Sequence, residues 1–287
     1  MCIVVYDLFS KRDILPIASA WMSEQLSLNL NIKQSASISD FSGPGWVSII
    51  DVVRQMHVGL LTQLYLYGER DTGKTHLLNA ICESFRDIDQ SVIYLSLREL
   101  INANMDAMVL SSLENTTVIA LDDMDEIQGH PEWQEAVFHL INLSQEYGNK
   151  IIFASRLPVK ALNFELRDLL SRLARAATFQ LPTGSDRLDR QLILESVLRR
   201  RHWHFDPRII DYLLNEGPHR IGAMLAVLNE LQPLFSNMER TPLNKVTKAK
   251  IQDAMNIIDN LTRNCELADF DEIAENENFL DFWPGLS

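Results

Sequence analysis

Hydrophobic and polar positions change their spacing twice along this chain. From Gly45 to Leu181, short β-rich runs alternate with segments whose apolar residues recur at three and four positions. The runs Gln63–Tyr67, Ser91–Leu97, Thr117–Leu121, Lys150–Ser155 and Ala177–Leu181 predict five strands. Helical spacing is predicted over Ser48–His57, Lys74–Phe85, Arg98–Met105, Ala107–Leu113, Pro131–Tyr147 and Leu166–Arg175. Strands separated by helices are expected to pair in parallel, because a parallel neighbour needs a long crossover. The pattern therefore predicts an α/β fold: a five-stranded parallel sheet with helices on both faces.

After Pro182 the strand signals stop. Arg187–Arg200, Pro207–Glu216, Arg220–Phe235 and Val246–Leu261 keep apolar residues at helical spacing, which predicts a small helical domain. The expected organisation is a mobile lead-in over residues 1–40, an α/β domain over 41–182, a helical domain over 183–262 and an acidic tail over 263–287. The lead-in is irregular and rich in Ser, Asn and Gly from Asn29 to Gly45, and Met22 within it offers a second chain start. The tail holds Glu266, Asp269, Asp271, Glu272, Glu275, Glu277 and Asp281 and no base, so it is expected to be a solvated, disordered segment.

Composition narrows the function classes. With 26 Lys+Arg against 39 Asp+Glu the net charge is −13, which repels phosphate backbones unless basic residues are concentrated. Only Arg199-Arg200-Arg201 is such a concentration, and its place at a helix C-terminus suits the helix dipole, so no strong autonomous DNA binding is expected. Cys2, Cys82 and Cys265 are scattered, with neither zinc nor redox spacing, which fits a reducing cytoplasm. No apolar run is long enough for a bilayer, and Met1–Tyr6 lacks the basic flank of an export signal. No membrane partner is expected.

The strongest chemistry lies after the first predicted strand. Gly68-Glu69-Arg70-Asp71-Thr72-Gly73-Lys74-Thr75 fits G-x-x-x-x-G-K-[ST] between a strand and a helix, the context the pattern requires. Gly68 and Gly73 let the backbone curl so that its N–H groups face a phosphate. Lys74 adds a point charge, and Thr75 a hydroxyl for Mg²⁺. The strand Val118–Leu121 ends in Asp122-Asp123, where the first acid is placed to hold Mg²⁺ and the second to orient water. Ser155 follows another strand, where it either faces a γ-phosphate or caps a loop. Arg172, Arg175 and Arg220 by themselves read more readily as solvated surface arginines than as functional ones.

Taken together, these residues resemble an AAA+ ATPase module from about Phe41 to Leu261, within the DnaA-related branch, and most closely its short Hda-type regulatory inactivators. The resemblance rests on the phosphate loop running into Lys74-Thr75-His76-Leu77-Leu78, on Leu121-Asp122-Asp123, on Ser171-Arg172-Leu173 and on Arg220 opening a lid helix. It implies ADP or ATP with Mg²⁺ as cofactors. It also implies that Phe41 lines the adenine pocket, Ser155 occupies sensor 1 and Arg220 sensor 2. Arg172 would be an arginine finger directed at a neighbouring subunit's nucleotide.

Upstream, Gln25-Leu26-Ser27-Leu28-Asn29-Leu30 is similar to the peptide that docks such inactivators on the DNA polymerase III sliding clamp, its β subunit. Gln25, Leu26, Leu28 and Leu30 would make the contacts; Asn29 stands where a proline is common. The same leucines also alternate as an amphipathic strand would. The function implied is negative regulation of replication initiation, by stimulating hydrolysis of DnaA-bound ATP together with DNA-loaded clamp. The chain would act on DnaA's ATPase more than as an independent one, with homo-oligomers allowed. The competing readings are a DnaA-like or helicase-loading ATPase that turns over its own ATP, favoured by an intact Lys74 and Asp123, and a nucleotide-gated protein adaptor.

Overall fold

The structure, a computed structural model, describes residues 36–41, 43–113, 115–235 and 248–280. They divide into two compact units, one ending at Thr183 and the other beginning at Gly184.

The first unit is built on strands β1 (Gln63–Tyr67), β2 (Val92–Ser96), β3 (Val118–Asp122), β4 (Lys150–Ser155) and β5 (Ala177–Gln180). All pair in parallel, in the order β2-β3-β4-β1-β5, so the α/β expectation holds. Its helices are α1 (Val47–His57), α2 (Lys74–Arg86), α3 (Leu97–Asn102), α4 (Pro131–Tyr147) and α5 (Arg167–Leu173). β3 and β4 are buried along their whole length, which requires helices on both faces and explains their near-continuous apolar runs. On one face Tyr65, Ile93, Leu95, Ile119, Leu121, Ile151 and Phe153 pack with Trp133, Val137 and Leu140 of α4 and with Leu169 and Leu173 of α5. On the other, α2 lies on β2, β3 and β4 and buries Leu77, Leu78, Ile81 and Phe85.

β1 has β4 and β5 as neighbours, while the chain that leaves it goes by way of α2 to the far edge at β2. The connection turns away from the carboxyl end of β1, and the crevice this opens is where doubly wound sheets bind ligands.

The second unit contains α6 (Arg187–Arg200), α7 (Pro207–Glu216), α8 (Ile221–Phe235) and α9 (Lys248–Leu280). Ile193, Leu213, Met224, Leu228, Ala254 and Ile258 are among the buried residues of these four helices. Tyr212 Oη donates to Asp259 Oδ1 at 2.8 Å and ties α7 to α9.

Two expectations change. The lead-in gives way to packed structure at its end: Ala36, Asp40 and Phe41 are buried, and a 3₁₀ turn over Ile38–Asp40 is closed by a capping box from Ser37. The last helix continues past Leu261 to Leu280, so the helical backbone takes in most of the segment expected to be a disordered acidic tail. No Gly or Pro interrupts 248–280, and Ala, Leu and Glu there favour helix in spite of the charge. Among the described residues, no helix is long and apolar enough to cross a membrane.

Candidate nucleotide-binding site

The loop from Gly68 to Thr75 leaves the carboxyl end of β1 and opens α2. Gly73 caps the helix at φ 90°, ψ 16°, a conformation that glycine adopts without strain. A side chain at Gly68 would meet Thr72 Oγ1 at 2.9 Å, so the loop closes on itself only with glycine there. Thr72 Oγ1 donates to the Glu69 carbonyl at 2.9 Å and fixes the curl.

Lys74 Nζ donates to the carbonyls of Gly68 and Glu69, both at 2.6 Å. Burial lowers the Lys74 pKa, with Asp122, Asp125 and Asp123 opposing that shift. The ammonium is thus held at the centre of the loop, facing a set of acids. Thr75 Oγ1 donates to Asp122 Oδ2 at 2.7 Å, so the two sequence-predicted cation ligands are in contact. Asp122 is 1% exposed; Tyr94 Oη also donates to its Oδ2 at 3.0 Å, and the Asp123 amide to its Oδ1 at 2.9 Å. Burial, then Asp122 itself, push the Tyr94 hydroxyl well above its ordinary pKa, keeping it a donor.

A hydroxyl and a carboxylate in contact beside a cationic, glycine-curled loop match the oxygen chemistry that Mg²⁺ and a phosphate require. Among the described residues no group of three or more His, Cys, Asp or Glu side chains forms a metal cage. Thr75 and Asp122 therefore fit Mg²⁺ as a shared ligand of protein and phosphate, its usual arrangement.

Asp123 adopts φ 60°, ψ 44° directly after β3. Its Oδ2 accepts from Ser96 Oγ at 2.9 Å, and its Oδ1 pairs with Arg98 Nη2 at 3.0 Å. Burial and the neighbouring Asp122 raise its pKa, while Ser96 and Arg98 oppose. Ser155, at the end of β4, is wholly buried and donates through Oγ to Asp125 Oδ1 at 3.0 Å. Of its two sequence roles, the loop-cap geometry is present as well, since Oγ accepts the Leu157 amide at 3.2 Å.

Asp125 was not singled out from sequence, yet it ties the ends of β3 and β4 together. Besides Ser155 it accepts the Arg156 amide at 2.8 Å and Arg156 Nε at 2.6 Å. Burial opposes its ionised form, but these donors outweigh burial and its pKa is lowered. Glu126 Oε1 bridges Arg98 and Arg156 at 2.9 and 3.1 Å, completing a row of alternating charges along the ends of β2, β3 and β4. The acid at the fourth place of Asp122-Asp123-Met124-Asp125 was the available signal.

Phe41, expected beside the base of a nucleotide, is buried with its ring 4.7 Å from that of Trp46 and 5.5 Å from that of His76 in the first turn of α2. Among the described residues, Trp46 Nε1 and His76 Nε2 have no hydrogen-bond partner although both atoms are buried, and His76 Nε2 lies 3.4 Å from Asp40 Oδ2. Composition and spacing gave these two rings no separable signal.

Residues 52–179 match the family model of the bacterial DnaA ATPase domain. An uncharacterized protein of Haemophilus influenzae is 27% identical over 76% of this chain and 94% of its own length. The chromosomal replication initiator DnaA of Bacteroides thetaiotaomicron is 28% identical over 70% of this chain but only 46% of that protein. Domain III of the Thermotoga maritima DnaA has the same fold, with a TM-score of 0.64 at 20% identity, covering 77% of this chain and 94% of that one.

In the first unit, Arg172 lies apart from the phosphate loop. It sits in the last turn of α5, with Nη1 3.3 Å from Gln145 Oε1 and its guanidinium 5.8 Å from the centre of the Phe138 ring. Gln145 precedes the start of β4 and Arg172 the start of β5, so Arg172 belongs to the amino edge of the sheet. The phosphate loop leaves the carboxyl edge, and a five-residue strand between the two edges is about 16 Å long. Arg220 belongs to the second unit, where its carbonyl accepts the Met224 amide at 2.9 Å at the head of α8. Gln25, Leu26, Leu28 and Leu30 lie outside the described residues.

Proposed function

We propose that this chain is an Hda-type regulatory inactivator of DnaA: a nucleotide-bound module that is tethered to the DNA-loaded sliding clamp and offers Arg172 to ATP held by DnaA. The observation that carries this reading is the separation of Arg172 from its own phosphate loop by the length of the sheet. A guanidinium placed there acts on a nucleotide only across a subunit contact.

Gly68, Gly73, Lys74 and Thr75 would hold the phosphates of ADP or ATP, Thr75 and Asp122 the Mg²⁺, Phe41 the base and Arg220 the lid side. Bound Mg²⁺ would neutralise phosphate charge there. Ser155 and Asp123 complete the carboxyl edge. Arg172 would stabilise charge that develops on the partner's phosphoryl group, as a finger supplied in trans does. Gln25, Leu26, Leu28 and Leu30 would bind the clamp cleft as a short extended peptide.

The test is hydrolysis of DnaA-bound ATP with this protein present, with and without DNA-loaded clamp. Stimulation that needs both supports the proposal; unchanged hydrolysis contradicts it. A second reading has its own support: Lys74, Thr75, Asp122 and Asp123 are all assembled at one strand edge, as a self-hydrolysing ATPase needs. Turnover of ATP by the isolated protein at a rate that neither DnaA nor clamp changes would favour it.

A further inference from the structure

The register of β2 and β3 brings a tyrosine to the acid at the end of β3. Tyr94 stands opposite Ala120, and Ser96 opposite Asp122, so these four side chains share one face of the sheet. Ile93, Leu95, Ile119 and Leu121 take the other face, where α4 and α5 pack, which leaves the first set on the side of α2. With only a methyl group opposite it at Ala120, Tyr94 leans along the strand direction. Its Oη reaches Asp122 Oδ2, two residues further on, at 3.0 Å.

Asp122 is thus held from three elements: by Thr75 of α2 and Tyr94 of β2 on Oδ2, and by the Asp123 amide on Oδ1. Among the described residues these donors take both acceptor sites of Oδ2 and one of Oδ1, which leaves one on Oδ1 for a cation. Thr75 gives Asp122 its single proton and keeps its oxygen lone pairs for the same cation. Tyr94 is rooted in the sheet rather than in the phosphate loop and is 6% exposed. Burial and the adjacent carboxylate hold its hydroxyl well above the ordinary tyrosine range, so it stays a donor. Mg²⁺ demands near-ideal ligand geometry, and partners that orient a metal-binding side chain contribute about 10–100-fold in metal affinity.

We propose that Tyr94 is a positioning residue for the Mg²⁺ site, orienting the Asp122 carboxylate so that its remaining acceptor and the Thr75 oxygen are presented together. The inference rests on Thr75 and Asp122 holding Mg²⁺, as proposed above. Tyr94 touches neither cation nor nucleotide; it acts through Asp122.

The test is calorimetric titration of ATP into the full chain, once with Mg²⁺ and once with EDTA in its place, for wild type, Tyr94→Phe, Asp122→Asn and the double variant. Tyr94→Phe keeps the ring and leaves Asp122 Oδ2 its Thr75 donor, so the variant retains the fold. It is expected to bind ATP in EDTA with wild-type affinity and to lose about tenfold or more of the gain that Mg²⁺ brings. Asp122→Asn should lose at least as much, and the double variant no more than Asp122→Asn alone, because Tyr94 acts only through that carboxylate. A full wild-type gain in Tyr94→Phe overturns the inference. So does an equal loss of affinity with Mg²⁺ and with EDTA, which is what a purely structural role produces. In either case a lost gain in Asp122→Asn leaves the assignment of the cation ligands standing. A wild-type protein that gains nothing from Mg²⁺, or an Asp122→Asn variant that gains as much as wild type, removes that assignment and the inference with it.

Discussion

Replacing Asp125 with asparagine tests whether the carboxyl edge is held by charge or only by shape. The substitution keeps the size and one acceptor but turns the other oxygen into a donor facing Arg156 Nε, which lies 2.6 Å from the native carboxylate. Hydrogen bonds to a charged group contribute about 1.5–3 kcal/mol each. The Arg156 side chain is 39% exposed, so solvent recovers part of that when the pair is lost. About 2 kcal/mol of destabilisation remains, which for this size of chain corresponds to about 4–8 °C in melting temperature.

The pH dependence gives the sharper reading. The folded Asp125 pKa is depressed, so its contribution is complete above the unfolded carboxylate value of about 3.9 and disappears as pH falls through the folded value. The gap between wild type and Asp125→Asn should be full at pH 7 and close on acidification below the ordinary carboxylate range. Chemical denaturation followed by circular dichroism at several pH values measures it. A gap that stays constant from neutral to acid pH, or one below about 0.5 kcal/mol at neutrality, refutes the electrostatic argument.

Lys74→Ala removes the ammonium that sits between the Gly68 and Glu69 carbonyls and should lower both nucleotide affinity and the rise in melting temperature that nucleotide produces; equal shifts in a thermal-shift assay would contradict this. Asp122→Asn removes the charge beside Thr75 Oγ1 and should reduce the gain in ATP affinity on adding Mg²⁺, read by calorimetry with and without the cation. Leu28→Ala with Leu30→Ala should cost about 1.5–3 kcal/mol of clamp affinity per leucine and leave thermal stability unchanged; reduced stability with unchanged clamp retention on a column would place these leucines in a folded strand instead.

Much of the fold could be read from spacing because burial on two sheet faces leaves an apolar signature that few other arrangements share. β1, α4, β4, α6 and α7 begin and end where the pattern places them. The phosphate loop could be read because its glycines answer backbone needs that no other residue meets, at Gly73 through φ and at Gly68 through the approach of Thr72. What sequence did not disclose were pairings at a distance. Asp125 reaches Ser155 and Arg156 from the end of β3 to that of β4, Tyr94 reaches Asp122 from β2, and Asp40 and Phe41 meet His76 only once residues 36–41 pack on α2. The extent of α9 was missed for another reason: acidic composition was weighed above the lack of any helix breaker.

The proposed role stands on Arg172 acting outside its own pocket, and single-turnover hydrolysis of DnaA-bound ATP in the presence of DNA-loaded clamp tests it most directly. Arg172→Ala should keep nucleotide and clamp binding while losing stimulation, by an amount up to the order of 10³–10⁵ seen for fingers supplied in trans, and Arg172→Lys should restore little because the planar fork is gone. Stimulation by Arg172→Ala equal to wild type, or loss only of the protein's own ATP turnover, would contradict it.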